Sequence, residues 1–199
     1  MRRLSFLGLA SFSLVGAASW IGCVDDSGSG PAKVPLCVSY CDALDTNCFG
    51  LEYKNRDECL KACAFMKEGN EGERDDTVGC RLGFAKAAPK DDKAACKKAS
   101  AYGGGACGDP CDTFCRMDDK ICIGGSDAAS KPYPSESSCI EACKTTPIPY
   151  DPNGDEGPQA FQGKNNLNCR MFHLLLAIDD RANHCPHTGV VSDPCKAPP

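Results

Sequence analysis

His184 and His187 flank Cys185 in a His-Cys-Pro-His run, and the remaining histidine, His173, lies upstream of both. A thiol set between imidazoles could act as an activated nucleophile or help hold a transition metal, since imidazole accepts the thiol proton and both groups ligate such ions. The chain supplies its own comparison. When its two halves are aligned on their cysteines, the three histidines fall opposite Phe84, Ala95 and Lys98, while Cys185 falls opposite Cys96. A cysteine present in both halves is expected to be a bridge partner, and once bonded it is neither nucleophile nor thiolate ligand. Catalytic residues, a metal ligand set and a cofactor are therefore not expected, and the rival reading is a redox or metal-handling protein using Cys185 with His184 and His187.

Two acidic patterns raise other chemistry. Asp151, Asn153 and Asp155 imitate the opening of a calcium loop, but Glu156 stands where the turn glycine belongs and Gln162 where the bidentate glutamate is needed, which excludes a standard EF-hand. The default is an acidic solvated turn, with weak calcium binding the alternative. Adjacent carboxylates at Asp75-Asp76, Asp118-Asp119 and Asp179-Asp180 diverge on a helix, so they are expected to be surface charge rather than acid/base pairs. The nucleophile-elbow, zincin and phosphate-loop motifs do not occur.

The framework that positions these residues is written in cysteine. Cys37, Cys41, Cys48, Cys59, Cys63, Cys80, Cys96 and Cys107 recur as Cys111, Cys115, Cys122, Cys139, Cys143, Cys169, Cys185 and Cys195, which defines a tandem duplication over residues 37–107 and 111–195. The same alignment pairs Tyr40 with Phe114, Tyr53 with Tyr133 and Arg81 with Arg170. From residue 24 onward Leu, Ile, Val and Phe make up 26 of 176 residues, too few for a self-sufficient core. Disulfides must supply the difference, each contributing about 2 to 4 kcal/mol. The expected fold is all-α, small and disulfide-rich: two tandem three-helix modules, each stapled by four bridges and each able to fold alone.

Each C-x3-C pair puts two thiols on one helical face. Helix A is expected over residues 37–47 and helix B over about 56–66, with Asn55 and, in the second copy, Ser135 as N-caps. Such helices can form a hairpin stapled twice, by Cys37 to Cys63 and Cys41 to Cys59, then by Cys111 to Cys143 and Cys115 to Cys139. This arrangement resembles the twin C-x3-C hairpin of mitochondrial intermembrane-space chaperones, a likeness that implies geometry and no function. Helix C is expected over about residues 166–182, where Met171, Leu174, Leu175 and Ile178 form an apolar stripe. If that helix is continuous, Cys169 and Cys185 are about 24 Å apart and cannot bond. Two pairings remain: Cys122 to Cys169 with Cys185 to Cys195, or Cys122 to Cys185 with Cys169 to Cys195, and an up-down-up trio weakly favours the second. Cys48, Cys80, Cys96 and Cys107 follow suit, on a helix C shortened by Gly83 and Pro89 with the poorer stripe Leu82, Ala85, Lys86 and Pro89. The connectors over residues 68–76 and 150–157 are expected to be exposed loops.

Cys23 belongs to neither copy. Arg2 and Arg3 precede an apolar stretch over residues 4–18, so residues 1–22 read as an export signal. The Trp20-Ile21-Gly22-Cys23 junction resembles the lipobox of bacterial lipoproteins, with Trp20 where an aliphatic residue is usual. That resemblance implies acylation of Cys23 and, with Val24 following, a Gram-negative outer-membrane or cell-surface anchor. The competing reading is cleavage near Gly16-Ala17-Ala18, which leaves a free thiol at Cys23. Residues 23–36 read as a flexible tether. Loss of Arg2 and Arg3 takes the formal charge from −5 to −7, which disfavours nucleic acid as a partner. The whole chain resembles the cysteine-rich repeat lipoproteins of Gram-negative bacteria, whose function is unknown. The resulting expectation is a non-enzymatic structural, adhesive or partner-binding protein, held to the membrane by its lipid and meeting a protein or glycan.

Overall fold

Pro35 opens the first helix described in the computed structural model of this protein, which covers residues 35–124, 131–145, 148–158 and 163–196. The export signal, Cys23, most of the tether and Gln162 lie outside the described residues. Eight α-helices, and no strands, occur among the described residues.

In the first copy, α1 (Pro35–Asn47) buries Cys37, Tyr40, Cys41 and Leu44, the i, i+3, i+4, i+7 face that a helix must turn inward. Helix α2 (Arg56–Cys63) begins where Asn55 leaves helical geometry and accepts a hydrogen bond from the Glu58 amide at 3.0 Å. Cys37–Cys63 and Cys41–Cys59 staple these helices with Cα separations of 5.7 and 5.9 Å. Helix α3 (Val78–Ala87), capped by Thr77, packs along α1, and α4 (Lys93–Lys97), capped by Asp92, brings Cys96 to Cys48. Cys80 is joined to Cys107.

The second copy repeats this plan. Helix α5 (Pro110–Asp118) starts on the Asp109 cap with proline in its first turn, where a missing N–H costs nothing, and continues as a π-helical turn, Asp119–Ile123, that carries Cys122. Helix α6 (Glu136–Thr145) follows Ser135, whose hydroxyl accepts from the Ser138 amide at 3.2 Å. Helices α7 (Leu167–Ala177) and α8 (Arg181–His184) follow the caps Asn166 and Asp180. The bridges are Cys111–Cys143, Cys115–Cys139, Cys122–Cys185 and Cys169–Cys195, so every pair lies inside one copy.

Three expectations need correction. Helix C of the second copy ends at Ala177, because Asp180 adopts φ −142°, ψ 79° and spends its carboxylate capping α8 through the Asn183 amide. The first-copy helix C is hardly shorter, at 10 residues against 11: Gly83 is carried inside it, and the stop is set by Ala88, which precedes Pro89 and is extended at ψ 129°. Finally, all described residues belong to one compact unit, and the apolar core runs across the repeat boundary. Tyr102 of the first copy packs at a tilt against Phe114, ring centroids 6.5 Å apart, and donates its hydroxyl proton to the Met171 carbonyl at 2.8 Å, both in the second. The copies are separate in their cross-links and joined in their packing.

Candidate functional site

Arg81 and Arg170 are the largest fully buried side chains, at equivalent places in the first turn of α3 and α7. Each guanidinium is satisfied almost wholly by backbone. Arg81 donates to the carbonyls of Thr77, Ser100 and Ala101 and pairs with Asp76 at 2.5 Å. Arg170 donates to the carbonyls of Asn166, Gly189 and Val190 and to Asn165. Each thus ties the irregular segment that ends its repeat back onto helix C, beside the Cys80–Cys107 or Cys169–Cys195 bridge. A planar fork of donors can serve several carbonyls at once, which an ammonium cannot. The duplication marked both residues, but a role turned toward backbone leaves no partner residue in the sequence.

The second connector is not an exposed loop. Gly157 lies so close to the first copy that a Cβ there would sit 2.4 Å from the Glu52 carbonyl oxygen, so only glycine allows the approach. Glu156 is buried, accepting hydrogen bonds from the hydroxyls of Ser100 and Tyr150. The ammonium of Lys97 enters the turn beside it and donates to the carbonyls of Asp151, Pro152 and Gly154. From α7, Asn168 holds the same turn through its amide, donating to the Asp151, Gly154 and Asp155 carbonyls. The calcium-like stretch is therefore built around a lysine: carbonyls point inward to the ammonium, and Asp155 stays exposed.

Glu52, buried beside this junction, has an Oε2 with no hydrogen-bond partner among the described residues. Burial first, and then the charge of Glu156, push its carboxyl up to about 8. Burial also raises Glu156, against which its two hydroxyl donors and Lys97 pull down. The carboxylate with donors is the one suited to ionise, and Glu52 is the one suited to stay protonated. Nor are the adjacent acidic pairs all surface charge: Asp118 is fully buried, accepts from the Thr188 hydroxyl at 2.8 Å and is pushed up to about 7, chiefly by burial. Asp76 joins Arg81 to Arg116 across the repeat boundary, while Asp179 is exposed and pairs with Lys61 at 2.8 Å.

The three histidines converge. His173 projects from α7, His184 ends α8, and His187 lies in the 3-10 turn Cys185–Thr188. His173 Nδ1 and His184 Nδ1 are 3.3 Å apart, and one ring nitrogen from each of the three residues lies within 4.8 Å of the others. Ring centroids are separated by 4.8 to 5.9 Å. His173 is buried, and burial, followed by His187 and His184, lowers its pKa to about 4. Burial and then His184 lower His187 as well. Cys185 stands between two of these residues in sequence but is bonded to Cys122, which removes the thiol from the redox reading. His184 also lines a groove between the copies, formed with Lys54, Asp57, Lys61, Leu176 and Asp179.

No protein-family model matches this chain, and no curated protein and no solved structure shows significant similarity to it. Its eight disulfides indicate an oxidising, extracytoplasmic environment. Among the described residues no helix is long and apolar enough to cross a membrane.

Proposed function

We propose that this is an exported lipoprotein, acylated on Cys23 and held at the outer membrane or cell surface of a Gram-negative bacterium, with a non-enzymatic structural, adhesive or partner-binding role. The observation that carries the reading is the completeness of the cysteine pairing. Sixteen cysteines bond to one another, so Cys23 has no partner left within the chain. An unpaired cysteine just after an export-type leader is accounted for by acylation. Several acyl chains on one residue anchor firmly, and a body locked by eight bridges suits the presentation of a rigid surface to a protein or glycan.

Metabolic labelling with a clickable fatty-acid analogue tests the anchor. Wild-type protein should take up label and fractionate with membranes, while Cys23→Ser should remain unlabelled and be released in soluble form. Label on neither protein, or on both, refutes acylation at Cys23. Crosslinking from intact cell envelopes, followed by partner identification, tests the binding role.

A further inference from the structure

We propose that His173, His184 and His187 form a binding site for one divalent ion of the zinc type, held by three imidazole nitrogens and without cysteine. The geometry is the first support. With metal–nitrogen distances of about 2.0 to 2.1 Å, two nitrogens on a tetrahedral ion lie about 3.3 to 3.4 Å apart, and the Nδ1 atoms of His173 and His184 are already 3.3 Å apart. A ring nitrogen of His187 completes a set of three, one from each residue, that lie within 4.8 Å of one another. This ring sits on the last, irregular segment of the repeat.

An unpaired nitrogen is the second: His187 Nδ1 is buried and has no hydrogen-bond partner among the described residues. His173 and His184 share one ring-to-ring hydrogen bond, and protonated rings at this spacing repel. Shared ligation of a cation satisfies them together.

The scaffold and the route of entry complete the case. Cys185, between His184 and His187, is fixed to Cys122, and Cys169, one helical turn before His173, is fixed to Cys195. The ligand backbone is thus ordered before any ion arrives, which lowers the entropy lost on binding. His184 lines the inter-repeat groove, where Asp57, Glu58, Asp179 and Asp180 outnumber Lys54 and Lys61, so the lining is net acidic even though Lys61 pairs with Asp57 and Asp179. The first repeat, with Phe84, Ala95 and Lys98 at the matching positions, has the same frame and no ligands.

The test uses the full mature protein, purified without a polyhistidine tag and with its bridges intact. Isothermal titration with zinc should show one equivalent bound with micromolar or tighter affinity, and zinc should shift the imidazole resonances of all three histidines. Cobalt(II) should give the visible absorption of a tetrahedral site without thiolate charge transfer. His184→Ala and His187→Lys, the residues that the first repeat carries, should each weaken zinc binding at least tenfold, about 1.4 kcal/mol, with unchanged circular dichroism in chelator. His173→Phe should abolish binding. The proposal is overturned if wild type takes up no zinc at about 1 mM, if the imidazole resonances do not move, or if both half-exposed variants bind as wild type does. Because no lipid readout is involved, failure here leaves the Cys23 anchor untouched.

Discussion

Replacing Glu52 with glutamine removes one ionisable oxygen from the acidic pair at the repeat junction and keeps the side chain's shape. A carboxyl whose folded-state pKa is raised binds its proton more tightly in the native than in the unfolded chain. Stability is then highest below the unfolded value and falls as the pH rises toward the folded one. For Glu52 that window runs from 4.5 to about 8. At 1.36 kcal/mol per pH unit, raising the pH from about 5 to about 9 should cost roughly 4 kcal/mol, a large share of the 5 to 15 kcal/mol that holds a typical domain. Asp118 adds to the same slope between 3.8 and about 7. The assay is guanidinium unfolding followed by circular dichroism across this pH range, on Cys23→Ser protein so that no thiol catalyses bridge exchange at alkaline pH. Wild type should lose stability as pH rises, the reverse of the behaviour set by carboxylates in surface salt bridges. Glu52→Gln should match wild type near pH 5 and exceed it by up to roughly 4 kcal/mol near pH 9. A Gln variant with the wild-type slope, or a wild type that gains stability between these limits, would refute the assignment of a buried, protonated Glu52.

Leu175→Ala, on the buried face of α7, should cost about 2 to 5 kcal/mol by chemical denaturation, while Lys86→Ala at the matching exposed position, which loses only an ion pair with Glu71, should change stability by less than about 1 kcal/mol. With bridges intact, the two copies should unfold in one transition seen equally by probes in either half, because Tyr102, Lys97 and Asp76 join them; two separate transitions would show that the packing across the boundary contributes little.

The parts of the fold legible in the sequence were those governed by period and by covalent chemistry. Spacing of i, i+4 cysteines marks helices A and B, the apolar stripe marks α7, and Asn55 and Ser135 mark helix starts, because each is a local rule acting within a few residues. The places where that reading failed involve partners distant in sequence. Asp179-Asp180 looked like a continuation of α7, yet one carboxylate starts the next helix. The calcium-like turn looks solvated in the sequence because its filler, Lys97, comes from the other repeat. Glu52 carries no motif and Glu156 stands out only as a departure from one, because burial of a charge is decided by what packs over it. The histidine cluster was half legible: His184 and His187 are close in sequence, whereas the fold alone brings His173 to them, and the cysteine that drew attention to the run belongs to a bridge.

The lysine seated in the turn also bears on the symmetry of the pair. Aligned on Cys96 and Cys185, Lys97 corresponds to Pro186, which carries neither an ammonium nor an amide proton. The first copy has a plug and the second has a socket, but the second has no plug of its own. The junction is therefore directional: an ammonium passes from the first copy into the turn of the second, and Pro186 makes no matching donation.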